Sequence, residues 1–345
     1  MDLKNKKIQD NLGKWVKTST DNIGELVKLE KFNVGQSNPT YILKYEKKNL
    51  VLRTTPNGKL LRGAHRIDRE FKVMSALKNT TIPVPIMYAY CENTKIIGTE
   101  FFLMEYIDGY REVSPLMQDY GEEIIESLYL EKLQLLTSLA KLDLKDINLD
   151  KYGRLENYLE RQIKLWTLQY RASETKKINS MEFLIKNLNE NIPNIFDKMP
   201  YVLLHGDFRI DNIIFNKANK IACLLDWELS TLAPPFIDLA YWCLMLRFNQ
   251  KWVIGGLGSC EERKNLKGIP TEKRLLDSYS KSVGYISEKE WKYLLAFNAF
   301  RFTGILQGIK KRVKDGNNAG HNAVHVGDLA ESVSNLGKKL FEEAI

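Results

Sequence analysis

The stretch that most constrains this chain is Leu204-His205-Gly206-Asp207-Phe208-Arg209-Ile210-Asp211-Asn212-Ile213-Ile214-Phe215, which passes from an apolar strand through a polar loop into a second apolar strand. Asp207 and Asn212 stand five residues apart on that loop. Another apolar strand follows and ends in Leu225-Asp226-Trp227-Glu228, so Asp226 lies fourteen residues beyond Asn212 and within reach through a tight hairpin. Moving a phosphoryl group requires a carboxylate that orients the attacking hydroxyl and accepts its proton. It also requires hard oxygen ligands for the magnesium ions that bridge the phosphates. Asp207 suits the first role, Asn212 and Asp226 the second. The plain alternative is structural, with His205 and Asp207 bonding loop backbone and Asp226 capping a turn.

The rest of the chain divides by period. Leu29 to Gly35, Pro39 to Tyr45 and Leu50 to Thr54 are rich in β-branched and aromatic residues and read as consecutive antiparallel strands. Ile67, Phe71, Met74 and Leu77 recur at helical spacing over Ala64 to Leu77, ended by the Pro83-Val84-Pro85 break. Two further strands, Ile86 to Cys91 and Phe101 to Tyr106, precede the turn signal Asp108-Gly109, which places a boundary between residues 1–107 and 108–345. Beyond it the pattern is mainly helical: Tyr120 to Lys141, Asn157 to Arg171, Ser180 to Glu190, Pro235 to Phe248, Glu272 to Ser282 and Glu288 to Lys314. Only Tyr201 to Leu204, Ile213 to Phe215 and Ile221 to Leu225 read as strands there. The expectation is an α+β chain, a small antiparallel-sheet lobe followed by a larger helical one.

Composition removes several other classes. A formal net charge of +8 would draw in an anionic ligand such as a nucleotide or coenzyme. The basic residues are dispersed, however, and Lys310-Lys311-Arg312 with Lys314 is short enough to be a solvated helix face, so nucleic acid is not an expected partner. Cys91, Cys223, Cys243 and Cys260 stand far apart, which suggests neither a disulfide framework nor a zinc site and fits a reducing compartment. No signal-like segment opens the sequence and no apolar run approaches ~18 residues, so a soluble, cytoplasmic chain without membrane contact is expected. His321 and His325 stand four apart without the glutamate of a metalloprotease helix, Gly255-Gly256-Leu257-Gly258 lacks the later glycine of a dinucleotide fingerprint, and no G-x-S-x-G elbow surrounds Ser37 or Ser259.

The loop and the later acid resemble the aminoglycoside and choline kinase family, whose motif reads H-G-D-x-x-x-x-N followed by a strand carrying D-x-[DE]. The resemblance implies a two-lobed protein-kinase-like fold, ATP and Mg2+ as cofactors, and Asp207 with Arg209 as catalytic residues. It also implies Asn212, Asp226 and Glu228 as metal ligands, and His205 and Asp238 as supports of the loop, Asp238 through backbone hydrogen bonds. The turn carrying Gly35, Ser37, Asn38 and Thr40 would bring backbone N–H groups to the phosphates, or is a plain hairpin. Arg53 stands where the family ordinarily presents a lysine; guanidinium keeps the charge but pairs with phosphate in a different geometry. Glu70 matches the glutamate paired with that cation, or is a solvated helix acid. Glu105 and Tyr106 match the strand running into the hinge that bonds adenine, or simply belong to a core strand.

The likeness narrows to the kinase-like domains associated with acyl-CoA dehydrogenases. It does so through Gly35-Gln36-Ser37-Asn38-Pro39-Thr40-Tyr41, Gly58-Lys59-Leu60-Leu61, Ile97-Gly98-Thr99 and the run from Gln162 to Thr175. That branch implies a hydroxylated acyl or short-chain acid acceptor, free or as a coenzyme A ester. Arg161, Gln162, Trp166, Gln169 and Tyr170 recur at spacings that set much of the group along one helix side, where they form either an acceptor-site wall or ordinary packing. The function expected is transfer of the ATP γ-phosphate to a small-molecule hydroxyl. The alternatives are a nucleotide-binding pseudokinase without turnover, and an aminoglycoside or amino alcohol as acceptor. Oligomeric state is not legible.

Overall fold

The computed structural model describes residues 3, 5–32, 38–56, 66–258, 263, 266–316 and 323–345. The chain packs into two compact units: Met1–Tyr110 with Ile213–Ser230, and Arg111–Asn212 with Thr231–Ile345. In the first, the described residues form an antiparallel sheet of β1 (Leu26–Lys31), β2 (Thr40–Tyr45), β3 (Asn49–Thr54), β4 (Met87–Cys91) and β5 (Phe101–Glu105), in the order β1-β2-β3-β5-β4. Strand alternation sorts its side chains between two faces. Leu43, Leu50, Leu52, Phe101 and Leu103 join one core cluster with Leu12 and Val16 of α1 (Lys6–Ser19). Trp15 of that helix meets Phe101 edge to face, ring centroids 4.7 Å apart.

Helix α1 was not foreseen, because lysines, aspartate and asparagines dilute its apolar residues; yet Ile8, Leu12 and Val16 recur every four residues and seat one stripe on the sheet. Phe71 of α2 (Ile67–Leu77) approaches Tyr90 and Phe102. β1 begins and ends earlier than its sequence reading, and residues 33–37 and 57–65 lie outside the described residues. The hairpin of β7 (Ile213–Phe215) and β8 (Ile221–Leu224) belongs to this unit. Tyr110 and Phe215 exchange backbone hydrogen bonds of 2.9 Å each, and Leu224 N–H donates to the Pro83 carbonyl at 2.8 Å. Gly109 permits the close approach: a Cβ there would lie 2.3 Å from the Phe215 carbonyl oxygen.

The second unit is helical: α3 (Glu122–Ala140), α4 (Tyr158–Ser173), α5 (Asn179–Glu190), the short α6 (Ile195–Lys198), α7 (Ile237–Leu246), α8 (Glu272–Val283), α9 (Glu288–Lys314), α10 (Ala323–Asp328) and α11 (Ala330–Glu342). Asp238 apart, α7 is apolar on every side, and all of it but Met245 is buried. α9 begins with a capping box, Ser287 and Glu290 satisfying each other's backbone N–H groups, and is packed by α4, α5, α7 and α11. β6 (Val202–Leu204) pairs with β9 (Thr231–Ala233), a strand too short to register in the sequence. Among the described residues no helix is long and apolar enough to cross a membrane.

Candidate functional site

Two clusters of polar side chains gather the residues singled out in the sequence, one in each unit. In the first unit, alternation along β3 turns Arg53 away from the Leu50 and Leu52 face. Its Nε lies 2.7 Å from Glu70 Oε2, and its Nη2 donates to Asp226 Oδ1 at 2.7 Å. Burial opposes the charge on Arg53, but Glu70, Asp226 and Glu228 more than restore it and push its pKa up. Glu70 is only 1% exposed; burial, then Asp226 and Glu228, push its carboxyl up to about 8 against the pull of Arg53. Asp226 follows β8 in a left-handed conformation, φ +69°, rare for an L-residue outside glycine. Asn38 Nδ2 donates to Glu228 Oε2 at 2.8 Å, and Thr40 Oγ1 donates to the Asn38 carbonyl at 3.1 Å. Gly35 and Ser37 lie outside the described residues.

Glu105 and Tyr106 line an open cavity of about 890 Å³ together with Phe32, Ile42, Lys44 and Asp108. The Glu105 N–H is already given to the Ile86 carbonyl at 2.9 Å, and its carboxylate accepts from the Ile86 N–H at 3.1 Å. Any ligand edge reading the backbone here is therefore left the Glu105 carbonyl or the groups that follow it.

In the second unit the loop after β6 is fixed before Asp207 is reached. Asp238, fully buried on α7, accepts the His205 N–H at 2.7 Å and the Gly206 N–H at 3.0 Å. Burial raises its pKa, and His205 with those two N–H groups pulls against the rise. Gly206 takes φ +85°, which frees the next residue to turn out of the strand. Asn212 Nδ2 donates to the Asp207 carbonyl at 2.9 Å and to Asp207 Oδ2 at 3.1 Å, which leaves the Asn212 amide oxygen as a hard donor. Tyr241 donates its hydroxyl to Asp207 Oδ1 at 2.8 Å. Burial first, then Asp207, pushes the tyrosine well above its ordinary range and keeps the donor protonated. Arg209 is committed to Asp211 through two N–H groups.

Of the five residues proposed along α4, Gln162 and Trp166 are joined by a hydrogen bond, the indole N–H donating to Gln162 Oε1 at 3.1 Å. Tyr170 is fully buried, Gln169 exposed, and Arg161 Nη2 donates weakly to the Arg154 carbonyl at 3.4 Å. Trp166 also reaches α9, where the Arg301 guanidinium lies 5.8 Å from its ring centre. Arg301, Tyr241 and Lys132 escaped the sequence reading, although an arginine inside the apolar run Phe297 to Phe302 was a visible signal. Lys132 of α3 is 3% exposed, its ammonium 4.2 Å from the Trp242 ring centre and 4.9 Å from that of Phe208.

An antiparallel-sheet unit and a helical unit, with an H-G-D-x-x-x-x-N loop and a later acid, define a kinase-like phosphotransferase fold. The chain belongs to the phosphotransferase enzyme family, whose family model matches residues 28–259. It is 39% identical over 304 residues to mouse acyl-CoA dehydrogenase family member 10, covering 88% of this chain but 28% of that protein, so it spans a little over a quarter of the curated relative. A crystal structure of a candidate aminoglycoside phosphotransferase from Ralstonia eutropha JMP134 superposes with a TM-score of 0.86 at 33% identity, covering 98% of this chain and 99% of that one. A thermostable mutant of aminoglycoside phosphotransferase APH(4)-Ia, solved with ADP and hygromycin B, shares the fold at 12% identity and a TM-score of 0.61, over 96% and 98% of the two chains.

Proposed function

We propose that the chain transfers the γ-phosphoryl group of ATP to a hydroxyl of a small molecule, a hydroxy acid or its coenzyme A ester. The observation that carries this reading is the Asp207 carboxylate, with one oxygen held by Asn212 and the other by Tyr241. It stands on a loop whose backbone is anchored to Asp238. In the reaction Asp207 accepts the acceptor's hydroxyl proton while that oxygen attacks the γ-phosphorus. The bond from phosphorus to the bridging oxygen breaks, and ADP leaves with the electron pair. Arg53 steadies phosphate oxygens, and the cavity lined by Ile42, Glu105 and Tyr106 takes the adenine. Asn212, Asp226 and Glu228 offer amide and carboxylate oxygens, the donor type magnesium prefers. When bound, the cation would neutralise charge on the transferring phosphates.

The ADP in the APH(4)-Ia complex supports the nucleotide, and the name of the mouse relative supports an acyl acceptor over its rivals, an aminoglycoside or an amino alcohol. The test is MgATP-dependent ADP release by the wild type and Asp207→Ala, screened against hydroxy acids, their coenzyme A esters, choline, ethanolamine and aminoglycosides. Acceptor-stimulated release that falls by about 10²- to 10⁴-fold in the variant supports the reading. One observation favours a second reading, nucleotide binding without turnover: the Arg53 guanidinium already holds Oδ1 of the Asp226 carboxylate, one of the oxygens a cation would need. Nucleotide binding with no ADP release on any acceptor would favour that reading instead. Should α4 form the acceptor wall, Arg161→Ala raises the acceptor KM and leaves that of ATP unchanged.

A further inference from the structure

We infer that Tyr241 and Arg301 are positioning residues that set the Asp207 carboxylate for proton transfer, an inference that rests on the reading of Asp207 as the base. α7 serves the loop twice: Asp238 anchors the backbone of His205 and Gly206, and Tyr241, one turn further along, anchors the carboxylate two residues on. With Asn212 on Oδ2 and Tyr241 on Oδ1, both oxygens of Asp207 are held, so the plane of the carboxylate is fixed as well as its place. Arg301 adds the remaining constraint from α9. It is 5% exposed, its Nη2 donates to the Gly206 carbonyl at 2.5 Å, and its guanidinium lies 5.2 Å from the Tyr241 ring centre. Gly206, the residue before Asp207, is thereby gripped at its N–H by Asp238 and at its carbonyl by Arg301, while the Asp207 N–H donates to His205 Nδ1 at 3.2 Å.

Fold stability alone does not account for this arrangement. Among the described residues Arg301 Nη1 is buried with no hydrogen-bond partner, an arrangement that costs free energy and that an uncharged helix residue would avoid. The charge is kept beside two ring faces, those of Tyr241 and Trp166, which attract a cation. The same guanidinium thus joins the base to Trp166, on the helix where the acceptor wall is proposed. Replacing Tyr241 by phenylalanine keeps the ring, its packing and its contact with Arg301, and removes only the hydrogen bond to Asp207.

The experiment is steady-state MgATP hydrolysis with water as the acceptor, measured on the wild type, Asp207→Asn, Tyr241→Phe, Arg301→Lys and Arg301→Met. Tyr241→Phe is expected to lower kcat about tenfold, the loss of one hydrogen bond to a charged group, with the KM for MgATP and the melting temperature unchanged. Arg301→Lys, which can still donate to the Gly206 carbonyl, is expected to retain more kcat than Arg301→Met. A kcat for Tyr241→Phe within about twofold of the wild type overturns the inference. So does a loss of kcat matched by a lower melting temperature, which marks a merely structural role. Wild-type hydrolysis no faster than that of Asp207→Asn is a different result: it removes the base itself, and the inference with it.

Discussion

At Lys132, burial and charge meet most directly. Desolvation lowers its ammonium to about 7, while Asp211, Cys243 and Asp207 pull upward and Arg209 adds to the drop. Between pH about 7 and the ordinary lysine value near 10.4 the unfolded chain therefore binds more protons than the folded one, and stability rises with pH across that window. Below about 7 both states carry the charge and its cost in the core is fully present. Urea unfolding of wild type and Lys132→Met over pH 6–10 should show that rise in the wild type and its loss in the variant. Arg53 gives the opposite lesson, since Glu70 is buried against it. Arg53→Met should lower stability by about 1–3 kcal/mol by leaving that buried carboxyl without its partner, with Glu70→Leu in the same background recovering most of it. Thermal unfolding of the two variants separates this from any effect on nucleotide binding.

The elements owe their order to close approaches that single residues permit. On α11 a Cβ at Gly337 would lie 2.7 Å from Ala299 Cβ and 3.0 Å from Leu184 Cδ1, so the helix rests on α9 and α5 at backbone distance. Gly337→Ala gains about 1 kcal/mol of helix propensity but overpacks a rigid contact at a cost of about 1–3 kcal/mol. The net expectation is a melting temperature lower by a few degrees, read by calorimetry. Helix α9 was readable from Glu288 to Lys314 by its period, and the structure starts it at a capping box of Ser287 and Glu290. α11 went unread, although Ala330, Val333, Leu340 and Phe341 are buried, because small and polar residues interrupt its stripe. β9 is three residues long and exists only through its pairing with β6.

In the molecule as a whole the chain leaves its first unit after Tyr110 and re-enters it for Ile213–Ser230. The β7–β8 hairpin is tied there by the Tyr110–Phe215 and Pro83–Leu224 hydrogen bonds. Native-state hydrogen exchange should accordingly find Ile213–Phe215 and Ile221–Leu224 opening together with β3 and β5, at a free energy distinct from that of α7 and α9. Opening in step with α7 instead would contradict that allegiance. The sequence alone determined the α+β class, most of the strands and helices, and the residue types of the loop, because hydrophobic period, turn chemistry and the Asp207–Asn212 spacing are local properties. Only tertiary structure decided that Arg53 reaches Asp226 as well as Glu70, that Asn38 meets Glu228 and that Tyr241 and Arg301 hold the loop of Asp207. Those newly found pairs stand 34 to 190 residues apart, and nothing local in a sequence records which buried charge will find which partner once the chain has closed on itself.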